Sequence, residues 1–229
     1  MKKNVKRRDF IKKAGLAGAA ATAVSAFPAP AIASGHQEWI ICSAFGKAGL
    51  LGQAIQAFAD NVSSYSDKLN MKVYHAGELV PGLESLDAVR SGAAQASYGA
   101  PYYWTNLSDA IEFVATCPFG MNAMEQNAWC YYGGGIEEAD KIYNALGLKF
   151  LPMGNTGNQM GGWFNKEINS ASDFKGLKMR MPGLGGDVIA KLGASPVSLP
   201  GGQIYENLVS GAIDATEWVG PWNDAFMKF

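Results

Sequence analysis

Arg180 stands in Lys178-Met179-Arg180-Met181-Pro182-Gly183-Leu184-Gly185-Gly186, and Glu217-Trp218-Val219-Gly220-Pro221 follows downstream. One residue is an always-charged cation on a short apolar strand. The other is an acid beside tryptophan. A guanidinium presents a planar fork that captures a carboxylate through two parallel hydrogen bonds. A carboxylate in a weakly charged run is what a bound cation needs. If both face one cleft, the chain binds a small organic anion, with or without a metal ion. The alternative is a solvated strand arginine and a strand-end acid beside a packing tryptophan, and the sequence alone leaves both open.

Three further groups could join them. Gln159 precedes Gly161-Gly162-Trp163 and could lend an amide oxygen to a cation or be a plain loop residue. Tyr102-Tyr103-Trp104 follows Pro101. Consecutive aromatics point different ways, so a cleft wall is a fair alternative to core. Asp214, Glu217 and Asp224 lack the spacing of an EF-hand loop. Enzyme patterns are poor. The two histidines are His36 and His75, and no G-x-S-x-G, H-E-x-x-H or Walker pattern occurs. His75 beside Glu78 reads as a loop pair.

The elements that would position these groups begin after a leader. Seven Lys/Arg residues lie between Lys2 and Lys13, an uncharged stretch runs from Ala14 to Ile32, and Ala31-Ile32-Ala33 reads as a cleavage site. Residues 1–33 are therefore expected to be a signal peptide. Arg7-Arg8-Asp9-Phe10-Ile11-Lys12 matches the twin-arginine pattern, which exports folded proteins to the periplasm. Without the leader, 12 basic residues face 19 acidic ones, a net charge of about −7. That argues against nucleic acid and anionic membrane surfaces as natural partners. An anion site must then be built locally, against the global field. Cys42, Cys117 and Cys130 lack metal-ligand spacing and read as small apolar residues, with Cys117–Cys130 the one pair worth testing as a disulfide.

From Ser34 onward, short strand and helix patterns alternate, which argues for α/β architecture. Strands are expected at Trp39–Ser43, Met71–Tyr74, Gln95–Gly99, Glu112–Thr116, Lys149–Met153, Leu177–Met181, Pro196–Leu199 and Ala212–Val219. Helices are expected at Gly49–Val62, Pro81–Ser91, Gly186–Leu192 and Gln203–Val209, with a long helical stretch over Ala123–Leu146 broken near Gly133-Gly134-Gly135. The polar segment Gly154–Asn158 reads as a crossover between a first lobe over 34–153 and a second over 154–216, with 217–229 returning to the first. The last residues, through Phe229, form a hydrophobic stretch just after a helix start at Pro221, and the chain reads as a fragment.

Several of these motifs together resemble the extracytoplasmic solute receptors of TRAP transporters, the DctP family, and within it the subgroup that binds 2-oxo acids such as pyruvate. They are the leader, Pro101–Trp104, Gly154–Trp163, Met179–Gly186, Leu199-Pro200-Gly201-Gly202 and Asp214–Pro221. The resemblance implies a two-lobed α/β fold of the periplasmic-binding-protein type II kind, truncated at its C-terminus. It implies a non-enzymatic receptor that closes over its ligand and delivers it to a membrane permease pair. It gives Arg180 the role of carboxylate clamp. Gln159, Glu217 and the Trp218 backbone would hold a sodium or calcium ion, and Asn158, Tyr102, Tyr103 and Trp104 would flank the ligand. Gln203 departs from a frequent Glu of the subgroup. Family members continue well past Phe229, and the missing part would complete the first lobe and carry the long helix of a homodimer. A dicarboxylate or sugar acid bound without metal is the alternative on the same scaffold, and a secreted hydrolase the remote one.

Overall fold

The computed structural model describes residues 35–229. The expected signal segment lies outside them. Two sheets carry the architecture. The first has the order β2-β1-β3, from β1 (Gln37–Ser43), β2 (Leu69–Tyr74) and β3 (Ala96–Tyr98). The second has the order β4-β7-β5-β6, from β4 (Trp163–Phe164), β5 (Lys178–Arg180), β6 (Ser195–Val197) and β7 (Ala215–Thr216). β1 and β3 run parallel, as do β5 and its neighbours β6 and β7, while β4 is antiparallel to β7. Residues Glu38–Phe229 form a single unit that holds both sheets.

Helix α1 (Leu50–Tyr65) buries Gly52, Ile55 and Ala59, the three- and four-residue spacing of one helical face. Ile55 and Ala59 pack on Ile41 of β1, with Met71, Val73, Ala96 and Tyr98 around them. Gly52 is needed because a Cβ there would stand 2.1 Å from the Gly46 carbonyl oxygen. Helix α2 (Ser85–Arg90) extends a short 3-10 turn over Gly82–Glu84. Helices α3 (Ala123–Tyr132) and α4 (Gly135–Ala145) are separated at Gly133-Gly134, as the glycines predict. Asn122 and Glu125 close a capping box on α3, which satisfies amides that the helix cannot. A core of Leu86, Trp104, Ile111, Val114, Ala139 and Tyr143 joins this region.

The second sheet packs Leu177, Met179 and Ala215 against Ile189 of α5 (Gly183–Lys191). This helix starts three residues before its expected position, because Pro182 sets the extended entry and Gly183 takes a positive φ of 63°. Helix α6 (Gly201–Val209) likewise starts ahead of Gln203, and α7 (Pro221–Asp224) begins at the expected proline.

Two expected strands are absent. Glu112–Thr116 is replaced by a 3-10 turn over Ile111–Val114. Ile111 and Val114, three residues apart, both enter the core while Phe113 is 54% exposed, so the burial period is that of a tight helix and not of a strand. Lys149–Met153 is irregular. Phe150 leans on Tyr143, but Leu151 is largely exposed, and among the described residues no strand pairs with the segment. All three cysteines are free, so the Cys117–Cys130 pairing is not made. Cys42 and Cys130 are buried, and burial pushes their thiols up.

Candidate functional site

Parallel strands deliver their C-terminal ends to one edge of a sheet, and the three parallel strands of the second sheet do so here. Arg180 ends β5 with Val197 of β6 beside it on one flank and Thr216 of β7 on the other. Glu217 follows β7 directly, and Leu199 lies two residues past the end of β6. Crevices outside the carboxyl ends of parallel strands are where open α/β sheets place ligands.

Arg180 is 1% exposed. A buried guanidinium must be compensated on several sides, and it is. Its Nε donates to the Leu199 carbonyl at 3.3 Å. Its Nη1 donates to the Glu217 carbonyl at 2.7 Å and to Glu217 Oε2 at 3.1 Å. Its Nη2 donates to the Tyr103 hydroxyl at a long 3.5 Å. The guanidinium carbon stacks 5.0 Å from the Trp218 ring centroid. Backbone contacts therefore fix Nε and Nη1, whereas Nη2 retains the most donor capacity and faces a phenol. The surface-strand reading of Arg180 is excluded by its burial.

Glu217 is nearly buried, with 13% of its side chain exposed. Burial raises its carboxyl most, Arg180 opposes that, and the nearby Asp224 adds to it, so the group is pushed up to about 7. The ion pair thus loses to desolvation. Asp224 is itself 1% exposed. Its Oδ2 accepts from Trp163 Nε1 at 2.7 Å and its Oδ1 from the Val219 amide at 3.1 Å, so it pins the Glu217–Val219 segment from below.

The aromatic wall is only partly the expected one. Pro101–Trp104 forms a 3-10 turn. Tyr103 reaches Arg180, and Tyr102 meets Tyr103 edge to face at 5.1 Å. Burial holds both phenols above their usual range. Trp104 turns the other way. It lies in the core and its Nε1 donates to the Leu83 carbonyl at 2.8 Å, so it supports the turn from behind. Phe45, which the sequence did not single out, joins the wall. Its ring sits 6.2 Å from both Tyr103 and Trp218 and 5.3 Å from Tyr98. Its position just after β1, at the end of a parallel strand, was the available signal. Gly201 permits the Trp218 placement, because a Cβ there would fall 2.5 Å from the indole.

Asn158 and Gln159 are exposed, and neither is among the hydrogen-bond partners of Arg180 or Glu217. Gln159 Nε2 donates to Thr156 Oγ1 at 2.8 Å, which leaves its carbonyl oxygen free to accept. The next amide, Met160, donates to the Val219 carbonyl at 3.0 Å and so lays this segment alongside Glu217–Val219. Among the described residues no three His, Cys, Asp or Glu side chains converge on one point. A cation here would rest on one carboxylate and neutral oxygens. His75 and Glu78 do form a loop pair, although Glu78 accepts from the His75 backbone amide and not from the ring.

The sequence and fold have close counterparts. The family model for bacterial extracellular solute-binding proteins, family 7 (DctP), matches residues 44–229. The chain is 43% identical over 227 residues to the monocarboxylate 2-oxoacid-binding periplasmic protein of Nostoc sp. strain PCC 7120, covering 96% of this chain and 62% of that one. Two solved TRAP periplasmic solute-binding proteins match the fold. One, from Pseudoalteromonas atlantica T6c, has sodium and pyruvate bound (TM-score 0.81, 43% identity, 84% of this chain and 60% of that chain). The other, from Colwellia psychrerythraea, has calcium and pyruvate bound (TM-score 0.80, 44% identity, 84% and 60%). The chain thus spans about 60% of the length of these relatives. With the α/β architecture and the match over residues 44–229 in agreement, the chain belongs to the DctP family of bacterial extracellular solute-binding proteins.

Proposed function

We propose that the protein is a periplasmic receptor that captures a small 2-oxo acid such as pyruvate and hands it to a TRAP permease. The observation that carries this is Arg180, 1% exposed at the end of a parallel strand, with Nε and Nη1 held by the protein and Nη2 turned toward Tyr103. That edge, with the phenol beside it, suits one carboxylate. A monocarboxylate presents one such group, whereas the second charge of a dicarboxylate is not met by this edge. The pyruvate-bound relatives support the same choice.

The donors present fit a hard cation. Glu217 carries a costly buried carboxylate, and the Trp218 carbonyl accepts no backbone hydrogen bond among the described residues. The free oxygen of Gln159 completes an all-oxygen set of the kind that sodium or calcium takes. Such an ion would supply positive charge where the chain has little and would draw the keto and carboxylate oxygens of the ligand. The role is binding without turnover, and a 2-oxo acid incubated with the protein should be recovered unchanged.

Calorimetry with pyruvate, a longer 2-oxo acid, a dicarboxylate and a sugar acid, each with sodium, with calcium and with neither, tests the proposal. Saturable cation-dependent binding of the 2-oxo acids is expected. Preference for the dicarboxylate or the sugar acid without any cation would replace it with the alternative ligand class.

A further inference from the structure

Asp224, the last residue of α7, is 1% exposed and takes part in no ion pair among the described residues. A buried carboxylate normally stands beside a cation, since desolvation alone costs it dearly. Two neutral donors hold this one instead. Trp163 Nε1 donates to Oδ2 at 2.7 Å, and the Val219 amide donates to Oδ1 at 3.1 Å. Both oxygens accept, which is the pattern of the ionised group. With each oxygen engaged, Asp224 is not itself an ion ligand. Its charge nevertheless sits in a poorly solvated interior, where it acts over distance.

The place of Asp224 in the fold bears on the proposed cation site. Val219 follows Glu217 and Trp218, and its carbonyl accepts from the Met160 amide, next to Gln159. Trp163 pairs with Thr216, the residue before Glu217. Asp224 thus tethers both segments that carry Gln159, Glu217 and the Trp218 carbonyl. Burial raises the Glu217 carboxyl most and Arg180 opposes this, but Asp224 adds to it, so its field reaches Glu217. The positive charge available to these two acids is that of Arg180, 3.1 Å from Glu217. Together the three groups carry one net negative charge, and a monocarboxylate ligand would make it two. A monovalent ion would leave one of those unmatched, whereas a divalent ion would match both.

We infer that Asp224 sets the cation selectivity of this site: its buried charge, without an ion-pair partner and tethered beside the Glu217–Val219 segment, makes the site prefer calcium to sodium when the acid ligand is bound. The inference rests on the proposed 2-oxo acid and cation site, and it adds the residue that decides which ion is taken. Two roles of Asp224 can be separated. As a tether it holds the donor oxygens in place, and sodium and calcium, which are similar in size, depend on that placement alike. As a fixed charge it attracts an ion in proportion to the charge of the ion. Loss of the tether therefore weakens both ions by one factor, and loss of the charge weakens calcium more.

Calorimetric titration of sodium and of calcium into the wild type, Asp224→Asn and Trp163→Phe, each with saturating pyruvate, tests this. Work at about pH 9 keeps Glu217 ionised in all three proteins, since its carboxyl sits at about 7. The wild type should bind calcium about tenfold or more tighter than sodium. Asp224→Asn keeps the shape and one acceptor oxygen. It should lose about tenfold for sodium and about a hundredfold for calcium, the square that twice the charge implies. Trp163→Phe loosens the tether and keeps the charge, so it should weaken both ions by a common factor and leave their ratio as in the wild type. A wild type that binds sodium as tightly as calcium would overturn the inference, even if Asp224→Asn failed to fold. An equal loss of both ions in Asp224→Asn, or a ratio that collapses in Trp163→Phe, would also overturn it. If the wild type binds no pyruvate with either ion, the functional proposal fails and the inference with it. Binding of both ions with an unchanged ratio in Asp224→Asn removes the inference alone.

Discussion

At the scale of residues, Arg180 and Glu217 are bound into one device by burial. Truncating Arg180 would strand Glu217 beside Asp224 and leave a bound carboxylate unpaired. Arg180→Ala should therefore weaken 2-oxo acid binding by about 2–5 kcal/mol, and Arg180→Lys should not restore it, because an ammonium cannot reproduce the three-sided fork seen here. Glu217 gives a pH signature. Its carboxyl sits at about 7, above the ordinary 4.5, mainly because burial disfavours the charged form. A raised folded value means that the ligand-free protein gains stability from the neutral form below about 4.5 and loses it as pH rises through about 7. Cation binding has the opposite slope, since the ion needs the charged carboxylate and displaces the proton. Sodium affinity should thus increase as pH rises through about 7. Calorimetry below that pH, in buffers of different ionisation heat, should show release of about one proton per ion. A pH-independent sodium affinity, or its persistence in Glu217→Gln, would remove Glu217 from the cation site.

At the scale of elements, the strand that carries Arg180 was legible in the sequence, because its apolar pattern is short and bounded by Pro and Gly, whereas the expected Ala212–Val219 strand shrinks to Ala215–Thr216 and leaves Glu217 and Trp218 beyond its end. The two strands that failed are instructive. Glu112–Thr116 is a short, mostly apolar run like a strand, yet the fold buries Ile111 and Val114 together in a 3-10 turn, and only tertiary contact decides between these periods. Lys149–Met153 has strand composition without a described partner, and pairing is not written in one segment. Trp104 was expected on the wall, but its indole N–H has an acceptor behind it at Leu83. The direction of a side chain within a 3-10 turn is set by such contacts, which spacing does not reveal. Phe45 was missed because an isolated phenylalanine after a strand carries no signal of its own. Gly201 offers a test at this scale. Gly201→Ala would drive a methyl into Trp218, displacing the ring that stacks on Arg180. Affinity for the 2-oxo acid should fall about tenfold while the melting temperature shifts only modestly, since overpacking of this size typically costs about 1–3 kcal/mol. An unchanged affinity would show that the Trp218 position is not critical.

At the scale of the whole molecule, charge and length frame the account. With a net charge of about −7 outside the expected leader, anions are not steered to the surface, so recognition rests on one buried arginine and, as proposed, one cation. Salt should then change ligand affinity little beyond the specific sodium effect, because a desolvated site is screened weakly. The lobe boundary expected near Gly154–Asn158 coincides with an exposed polar segment without regular structure. Limited proteolysis should cut there first, and ligand with sodium should slow the cut if the two flanking regions close on each other. The proposed ligand class was legible only through motif resemblance, since pocket shape depends on which of several aromatics turn inward. The most direct test is a pyruvate titration of the wild type and of Arg180→Ala at fixed saturating sodium. The account predicts saturable one-site binding by the wild type and a loss of about thirtyfold or more in the variant, the ratio that corresponds to the lower end of the expected cost. Equal affinity in the two proteins would contradict it.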